Sequence, residues 1–325
     1  MKPSIVVLDS FTTSPLAIGK SHPSHPSWDS LAQLGDLVLH HRTAPSQILD
    51  RIIDAPLVLT NKVVLDRDIL RQLPHLRYIG LMSTGTNSAD LEVASKLGIT
   101  VSNVPAYSTA SVAQHVIGLF LELGLHLSEH ANLSRSGAWS KQPDFSITAG
   151  PIVEFAGKNF GIVGCGDIAQ ATARIAAAMG MRILVHSRSR KNTDFQCEWL
   201  DKEEFLSKAD VISLHCPLTP KTENWIDEEA LSHMKTGAFL INTSRGPVVD
   251  ESAVATALLN GKLGGYGADV SAVEPPPEDH PLLQAPRSIL TPHVAWASTE
   301  ARDRLMKILV ANAKAYLSGS PQNTV

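Results

Sequence analysis

Short runs of aliphatic and β-branched residues alternate with helix-length amphipathic stretches along the whole chain, and this alternation restricts the fold more than any other feature. Strands spaced this widely are joined by crossovers rather than tight turns, so they lie parallel in sheets with helices on their faces. The first series of expected strands is Ile5 to Leu8, Leu37 to Leu39, Leu57 to Thr60, Tyr78 to Met82 and Ile99 to Ser102. Between them lies helical spacing such as Ile69, Leu70 and Leu73. A second series runs through Asn159 to Val163, Arg182 to His186, Val211 to His215, Phe239 to Asn242, Tyr266 to Val270 and Ser288 to Leu290. Its length suits a six-stranded doubly wound sheet. The fold class is therefore α/β, with two doubly wound parallel-sheet domains.

Between the two series, Val112, Val116, Leu119, Phe120, Leu123 and Leu127 recur at helical intervals, and Ser111 with Gln114 has capping-box spacing. One long helix is expected there. From about Ser128 to Gly157 the pattern lapses while apolar Trp139, Phe145, Ile147, Ile152 and Phe155 persist. A loop this long with so much apolar area is expected to pack on a second subunit. The closing helical stretch, Thr299 to Leu317, is too short for a domain and is expected to return to the first sheet.

Composition narrows the partners. The 325 residues are 43% hydrophobic with a formal net charge of −4, so the chain can bury two cores and carries no global footprint for nucleic acid. The start runs from Met1 directly into Ile5-Val6-Val7-Leu8 without a basic or cleavable leader, and no membrane-length apolar run occurs. The expectation is a cytoplasmic protein with a small-molecule partner, no nucleic acid and no membrane. Cys165, Cys197 and Cys216 have no metal-type spacing and suit a reducing compartment.

Gly164-Cys165-Gly166-Asp167-Ile168-Ala169 follows the apolar run Phe160 to Val163 and opens an alanine-rich helical stretch to Met179. The first glycine permits a tight turn, the second lets backbone amides approach a pyrophosphate at a helix N-terminus, and Ala169 supplies the small third residue. That context makes a dinucleotide site. About twenty residues on, where a carboxylate would hold the ribose hydroxyls of NAD, stand Ser187, Arg188, Ser189, Arg190 and Lys191. Hydroxyls and a guanidinium accept a 2′-phosphate, which favours NADP(H) over NAD(H), with NAD(H) remaining possible. Asp167 suits the helix N-terminus but sets a carboxylate near the pyrophosphate.

Three polar residues follow apolar strands of the second series: Arg245 in Asn242-Thr243-Ser244-Arg245-Gly246, Glu274 before Pro275, and His293 in Thr291-Pro292-His293. Carboxyl ends of strands face the ligand crevice of open α/β sheets, so the three can converge beside a cofactor. A 2-keto acid needs a cation for its carboxylate, a proton donor for the carbonyl oxygen and a group that keeps the donor protonated and oriented. Arg245, His293 and Glu274 supply these in that order.

The same residues carry a family resemblance. The chain resembles D-2-hydroxyacid dehydrogenases, and within them glycerate dehydrogenases acting as hydroxypyruvate or glyoxylate reductases, over nearly its whole length. The motifs are Ser83-Thr84-Gly85-Thr86-Asn87, Asn103-Val104-Pro105 with Ser108-Thr109, the glycine turn, His215-Cys216-Pro217-Leu218-Thr219, Asn242 to Gly246, Gly267-Ala268-Asp269-Val270, Glu274-Pro275 and Pro292-His293. The resemblance implies reduction of a small keto acid to the D-hydroxy acid by NAD(P)H, with Arg245, Glu274 and His293 as the catalytic trio. It implies cofactor binding by Thr109, Gly164, Gly166, Asp167, Ile168, Ser187, Arg188, Ser189, His215, Pro217, Thr222, Thr243, Ser244, Arg245, Asp269 and His293, with Asp269 on the nicotinamide carboxamide. Substrate binding falls to Ser83, Thr84, Gly85, Arg245, His293 and Trp296.

The resemblance also implies a discontinuous flavodoxin-like substrate domain (residues 1–103 and 294–325), a Rossmann cofactor domain (104–293), a cleft closed by hinge motion, and a homodimer built on residues 108–157. Trp139 would then approach the neighbouring subunit's site. Departures from the family pattern are Ala169 for a third glycine, Asp167 for a basic residue, Gln114 for an acid and Ser271 for an aromatic; none removes a catalytic group. Formate oxidation is disfavoured because Glu274 stands where formate dehydrogenases carry an amide. A dinucleotide-sensing, corepressor-like binding protein would leave the trio unexplained. A metal enzyme has only His126 and His130 at helical spacing, with no third ligand, and His40 and His41 facing opposite ways, so no metal is expected.

Overall fold

The computed structural model describes residues 2–13 and 27–325. It divides into two compact units, Met1–Ser108 with Ala297–Val325, and Thr109–Trp296.

The first unit is a five-stranded sheet of β1 (Ser4–Val7), β2 (Asp36–Leu39), β3 (Leu57–Thr60), β4 (Tyr78–Leu81) and β5 (Thr100–Ser102), in the order β2-β1-β3-β4-β5 with every pairing parallel. This is the flavodoxin-like order. Strands β3 and β4 are buried on both faces and read as continuous apolar runs, while β2 lies at the edge and leaves Val38 and Leu39 exposed. One face buries Val6, Leu8, Val58, Ile79 and Val101 in a common core. The helix Thr299–Leu317 belongs to this unit, and its Tyr316 stacks on Tyr78 with ring centroids 4.6 Å apart.

The second unit carries β6 (Asn159–Val163), β7 (Arg182–His186), β8 (Cys197–Trp199), β9 (Val211–Leu214), β10 (Ala238–Asn242), β11 (Leu263–Ala268) and β12 (Ser288–Leu290). They form a parallel seven-stranded sheet in the order β12-β11-β10-β9-β6-β7-β8. The expected six strands are all present, but the sheet has a seventh. Without β8 the doubly wound order would lack its third strand; Cys-Glu-Trp is too short to show an alternating pattern.

Further expectations change. Ser111 is not a cap, because the helix Thr109–Leu125 has already begun, and its hydroxyl instead donates to the Ala295 carbonyl at 2.5 Å. The helix also stops before Leu127: His126 takes a left-handed backbone (φ 53°) and a second helix, Leu127–Arg135, leaves at 58°. That second helix buries none of its residues, so no apolar stripe marks it within the stretch expected to be loop. Phe155, at the far end of the arm, is buried edge-on against Phe120 rather than exposed. Among the described residues no single helix is long and apolar enough to cross a membrane.

Candidate active site

Strand β6 delivers the chain into the glycine turn. Gly164 has φ +89° and sits so close to the end of β9 that a Cβ would lie 3.0 Å from the His215 carbonyl oxygen, so glycine is required twice over. Gly166 is the N-cap of the helix Asp167–Ala178, and a Cβ there would project into open space. Ala169 is fully buried beneath the turn. An uncovered helix N-terminus approached by a side-chain-free backbone is what a pyrophosphate requires, so this turn fits a dinucleotide. Asp167 and Ile168 form the first turn of that helix, Asp167 exposed and Ile168 half-buried.

After β7, Ser187 is half-buried, and Arg188, Ser189, Arg190 and Lys191 are exposed. None of these cations has an ion-pair partner among the described residues. After β9, burial pushes the His215 imidazolium down to about 3, and its Nε2 sits 2.9 Å from the Ser213 hydroxyl. A neutral ring therefore flanks the turn. Pro217 and Thr222 close the next loop on themselves, the Thr222 hydroxyl donating to the Pro217 carbonyl at 2.6 Å.

After β10, the fully buried Asn242 organises the Arg245 loop. Its amide donates to the Arg245 carbonyl at 3.0 Å, and its oxygen accepts from the Ser244 amide and hydroxyl at 3.0 and 2.9 Å. Arg245 itself is exposed, with Nη1 2.7 Å from the Ser244 carbonyl. The Thr243 hydroxyl is buried and has no hydrogen-bond partner among the described residues.

After β11, the carboxylate of Asp269 takes the place of a ladder. One oxygen accepts from the Thr291 hydroxyl at 2.6 Å and the Val294 amide at 2.9 Å, and the other accepts from the Ala295 amide at 2.7 Å. His115 meets the same threonine hydroxyl at 2.9 Å. The strap so anchored carries His293, whose φ of 53° turns the ring toward Glu274; Nδ1 lies 2.7 Å from Glu274 Oε2. Trp296 Nε1 closes the strap on the His293 carbonyl at 2.8 Å. His293 Nε2 has no protein hydrogen-bond partner among the described residues and remains for a ligand. Glu274 and His293 thus form a bonded dyad. The Arg245 loop adjoins it through Gly246, where a Cβ would lie 2.0 Å from the Ser271 carbonyl carbon.

Ser83, Thr84 and Gly85 lie in the first unit, after β4. Their loop is self-braced: the Ser83 hydroxyl donates to the Gly85 carbonyl at 2.7 Å and the Thr84 hydroxyl to the Val104 carbonyl at 2.9 Å. Thr109 is the first residue of the second unit and opens its long helix. His126 and His130 are engaged locally, the first with Glu129 at 3.0 Å and the second accepting the Ala149 amide at 3.1 Å. Sequence patterns assign no role to Glu251, Ser271 and His280, which the fold brings together behind Glu274. Their only signals are an acid opening a helix and a histidine before a proline, both common without function.

Residues 117–295 match the family described as D-isomer specific 2-hydroxyacid dehydrogenase, NAD binding domain. The chain is 40% identical over 327 residues to a hydroxypyruvate reductase of Blautia hydrogenotrophica, covering 99% of both chains. It is 42% identical over 283 residues to a glycerate dehydrogenase of Methylorubrum extorquens, covering 86% of this chain and 88% of that one. An NADPH-dependent glyoxylate/hydroxypyruvate reductase of Sinorhizobium meliloti, solved with NADP and malonate, has the same fold with a TM-score of 0.85 at 27% identity, covering 100% of this chain and 97% of that one. With two parallel-sheet units, a glycine turn built for a dinucleotide and relatives matching end to end, the chain belongs to the D-isomer specific 2-hydroxyacid dehydrogenases and is an NAD(P)-dependent oxidoreductase.

Proposed function

We propose that the chain reduces a small 2-keto acid of the hydroxypyruvate or glyoxylate type to the D-2-hydroxy acid, with His293 as the proton donor. The observation that carries this reading is the 2.7 Å contact between His293 Nδ1 and Glu274, which leaves Nε2 to face a ligand. The reduced dinucleotide, when bound, supplies the hydride that adds to C2. His293 Nε2–H gives its proton to the carbonyl oxygen as negative charge builds there, and Glu274 orients the ring and compensates the imidazolium before transfer. Arg245 presents a planar guanidinium to the substrate carboxylate, a pairing that Lys could not reproduce in geometry. Ser83 to Gly85 and Trp296 bind substrate in this reading; Thr109, Gly164, Gly166, Asp167, Ile168, Ser187, Arg188, Ser189, His215, Pro217, Thr222, Thr243, Ser244 and Asp269 hold the dinucleotide. The names of the relatives described above support the substrate class.

NADPH is the preferred reductant. Support comes from the end of β7, where hydroxyls and cations with no ion-pair partner among the described residues stand in place of a carboxylate, and from the NADP held by the Sinorhizobium meliloti enzyme. The working form is a homodimer in a reducing cytoplasm. The exposed arm with Phe145 at 91% exposure supports the first statement, and three free cysteines suit the second.

Loss of absorbance at the reduced-nicotinamide band tests all of this together, with hydroxypyruvate, glyoxylate and pyruvate each paired with NADPH and NADH. Turnover of hydroxypyruvate or glyoxylate, faster with NADPH, is the expected result. Nucleotide binding without turnover of any keto acid would overturn the reading.

A further inference from the structure

Behind Glu274 lies a second carboxylate and imidazole that the reaction above does not use. Glu251 opens the helix Glu251–Leu259, and its side chain and that of His280 are each only 10% exposed. His280 Nδ1 accepts the Leu282 amide at 3.3 Å, so the ring proton sits on Nε2, which donates to Glu251 Oε2 at 3.0 Å. The other oxygen of Glu251 accepts from the Ser271 hydroxyl and from the Ala272 amide, both at 3.0 Å. Ser271 turns its own amide the opposite way, to Glu274 Oε1 at 3.2 Å, while Glu274 Oε2 holds His293. From the remaining side Gly246 presses on the same peptide, leaving no room for even a methyl group: a Cβ would lie 2.1 Å from the Ala272 nitrogen.

We infer that Glu251 and His280 are positioning residues for the proton donor: they hold Ser271 by its hydroxyl and by the Ala272 amide that follows it and, through the Ser271 amide on the other side of that residue, fix the rotamer of Glu274 that aims His293. The inference rests on the donor role proposed above for His293 and Glu274. Its physical basis is that a glutamate side chain held at one oxygen only can rotate about its terminal torsion, whereas one held at both cannot. A buried carboxylate with three donors is stable enough to serve as the fixed point, and it transmits its position through Ser271, whose following peptide Gly246 prevents from tipping, to the Ser271 amide that holds Glu274. Misplacing a general acid by about 1 Å costs about a hundredfold in rate, so this bracing bears directly on turnover.

The test is the pH profile of keto-acid reduction for E251Q, H280L, H280Q and E274Q, read with KM and with nucleotide affinity. A glutamine at 251 can satisfy His280 or the Ser271–Ala272 pair, but not both. For E251Q the expected result is a kcat lower by about tenfold or more, with KM and nucleotide affinity within about twofold. The alkaline limb of its pH profile should move to lower pH, in the same direction as in E274Q. H280L should show the same displacement, and H280Q, whose amide can still donate to Glu251, should recover most of it. Should E251Q fail to fold, the H280L and H280Q pair decides the question in its place. Wild-type kcat and limb in folded E251Q, or a joint fall of kcat and both affinities with the limb unmoved, would overturn the inference. A limb unmoved in E274Q would instead break the donor assignment and take the inference with it; a limb moved in E274Q but not in E251Q or H280L breaks the inference alone.

Discussion

Two segments of the Thr109–Trp296 unit leave the alternation of strand and helix, and they are held in opposite ways. The segment after β11 is tied by acid side chains: Asp269 takes the Val294 and Ala295 amides, Glu251 the Ala272 amide and Glu274 the Ser271 amide. The arm after Arg135 has few such ties, among them the Ala149 amide on His130 and the Trp139 indole on the Phe145 carbonyl. Phe155 is driven into the core, while Phe145 stands clear of it. Irregular backbone acquires a defined geometry when charged acceptors replace the missing ladder, and such acceptors are placed where a reacting side chain must be aimed. Where the backbone presents a surface to be covered, apolar side chains suffice.

Removing an acceptor from the first segment should therefore do the most damage. Asp269→Ala leaves two amides and a hydroxyl without their carboxylate and should cost about 3 kcal/mol or more of stability, together with most of the turnover. An unchanged thermal midpoint would show that the strap does not depend on that carboxylate. A smaller effect is expected at His215, beside the glycine turn. Burial keeps its folded form neutral down to about pH 3 against an ordinary value of 6.5, so the unfolded chain binds the proton first as pH falls. The associated stability is fully present above the ordinary value and is lost progressively toward pH 3. Between about pH 7 and pH 5 this amounts to about 2 kcal/mol, which His215→Gln should abolish in urea titrations at the two pH values. The same pH slope in the variant would place the ring in water.

Arg188→Ala should weaken NADPH by about tenfold, near 1.4 kcal/mol, and leave NADH unchanged. Equal weakening of both by fluorescence titration would remove the 2′-phosphate contact. At the arm, Phe145→Ser should alter monomer stability by less than about 0.5 kcal/mol. Self-association measured by sedimentation should nonetheless weaken severalfold; an unchanged association would mean that another surface joins the copies.

The contrast between the two segments also explains what the residues alone disclose. The expected strands fall within two residues of the observed ones, save that β11 starts earlier, at Leu263, because most of them carry a buried aliphatic run. The glycine turn is legible for the same reason, its constraint being local: one positive φ and one open helix end. Glu274 and His293 can be named from motifs, but their 2.7 Å contact depends on a strap held by Asp269, which no spacing rule encodes. The break at His126 is hidden because a non-glycine residue adopts a left-handed backbone there. Cys197–Trp199 is hidden by its length, and the Glu251–His280 pair because the fold joins two residues far apart in sequence. Local periodicity reports buried apolar faces; it is silent on polar groups that meet only after the sheet has formed.

The proposed chemistry turns on His293 delivering the proton. Single-turnover reduction of hydroxypyruvate by enzyme-bound NADPH, compared between the wild type and His293→Ala, isolates that step. The wild type should form D-glycerate, and in the variant saturated with NADPH the hydride step should slow by about a hundredfold or more. Equal rates in the two proteins would rule out His293 as the donor.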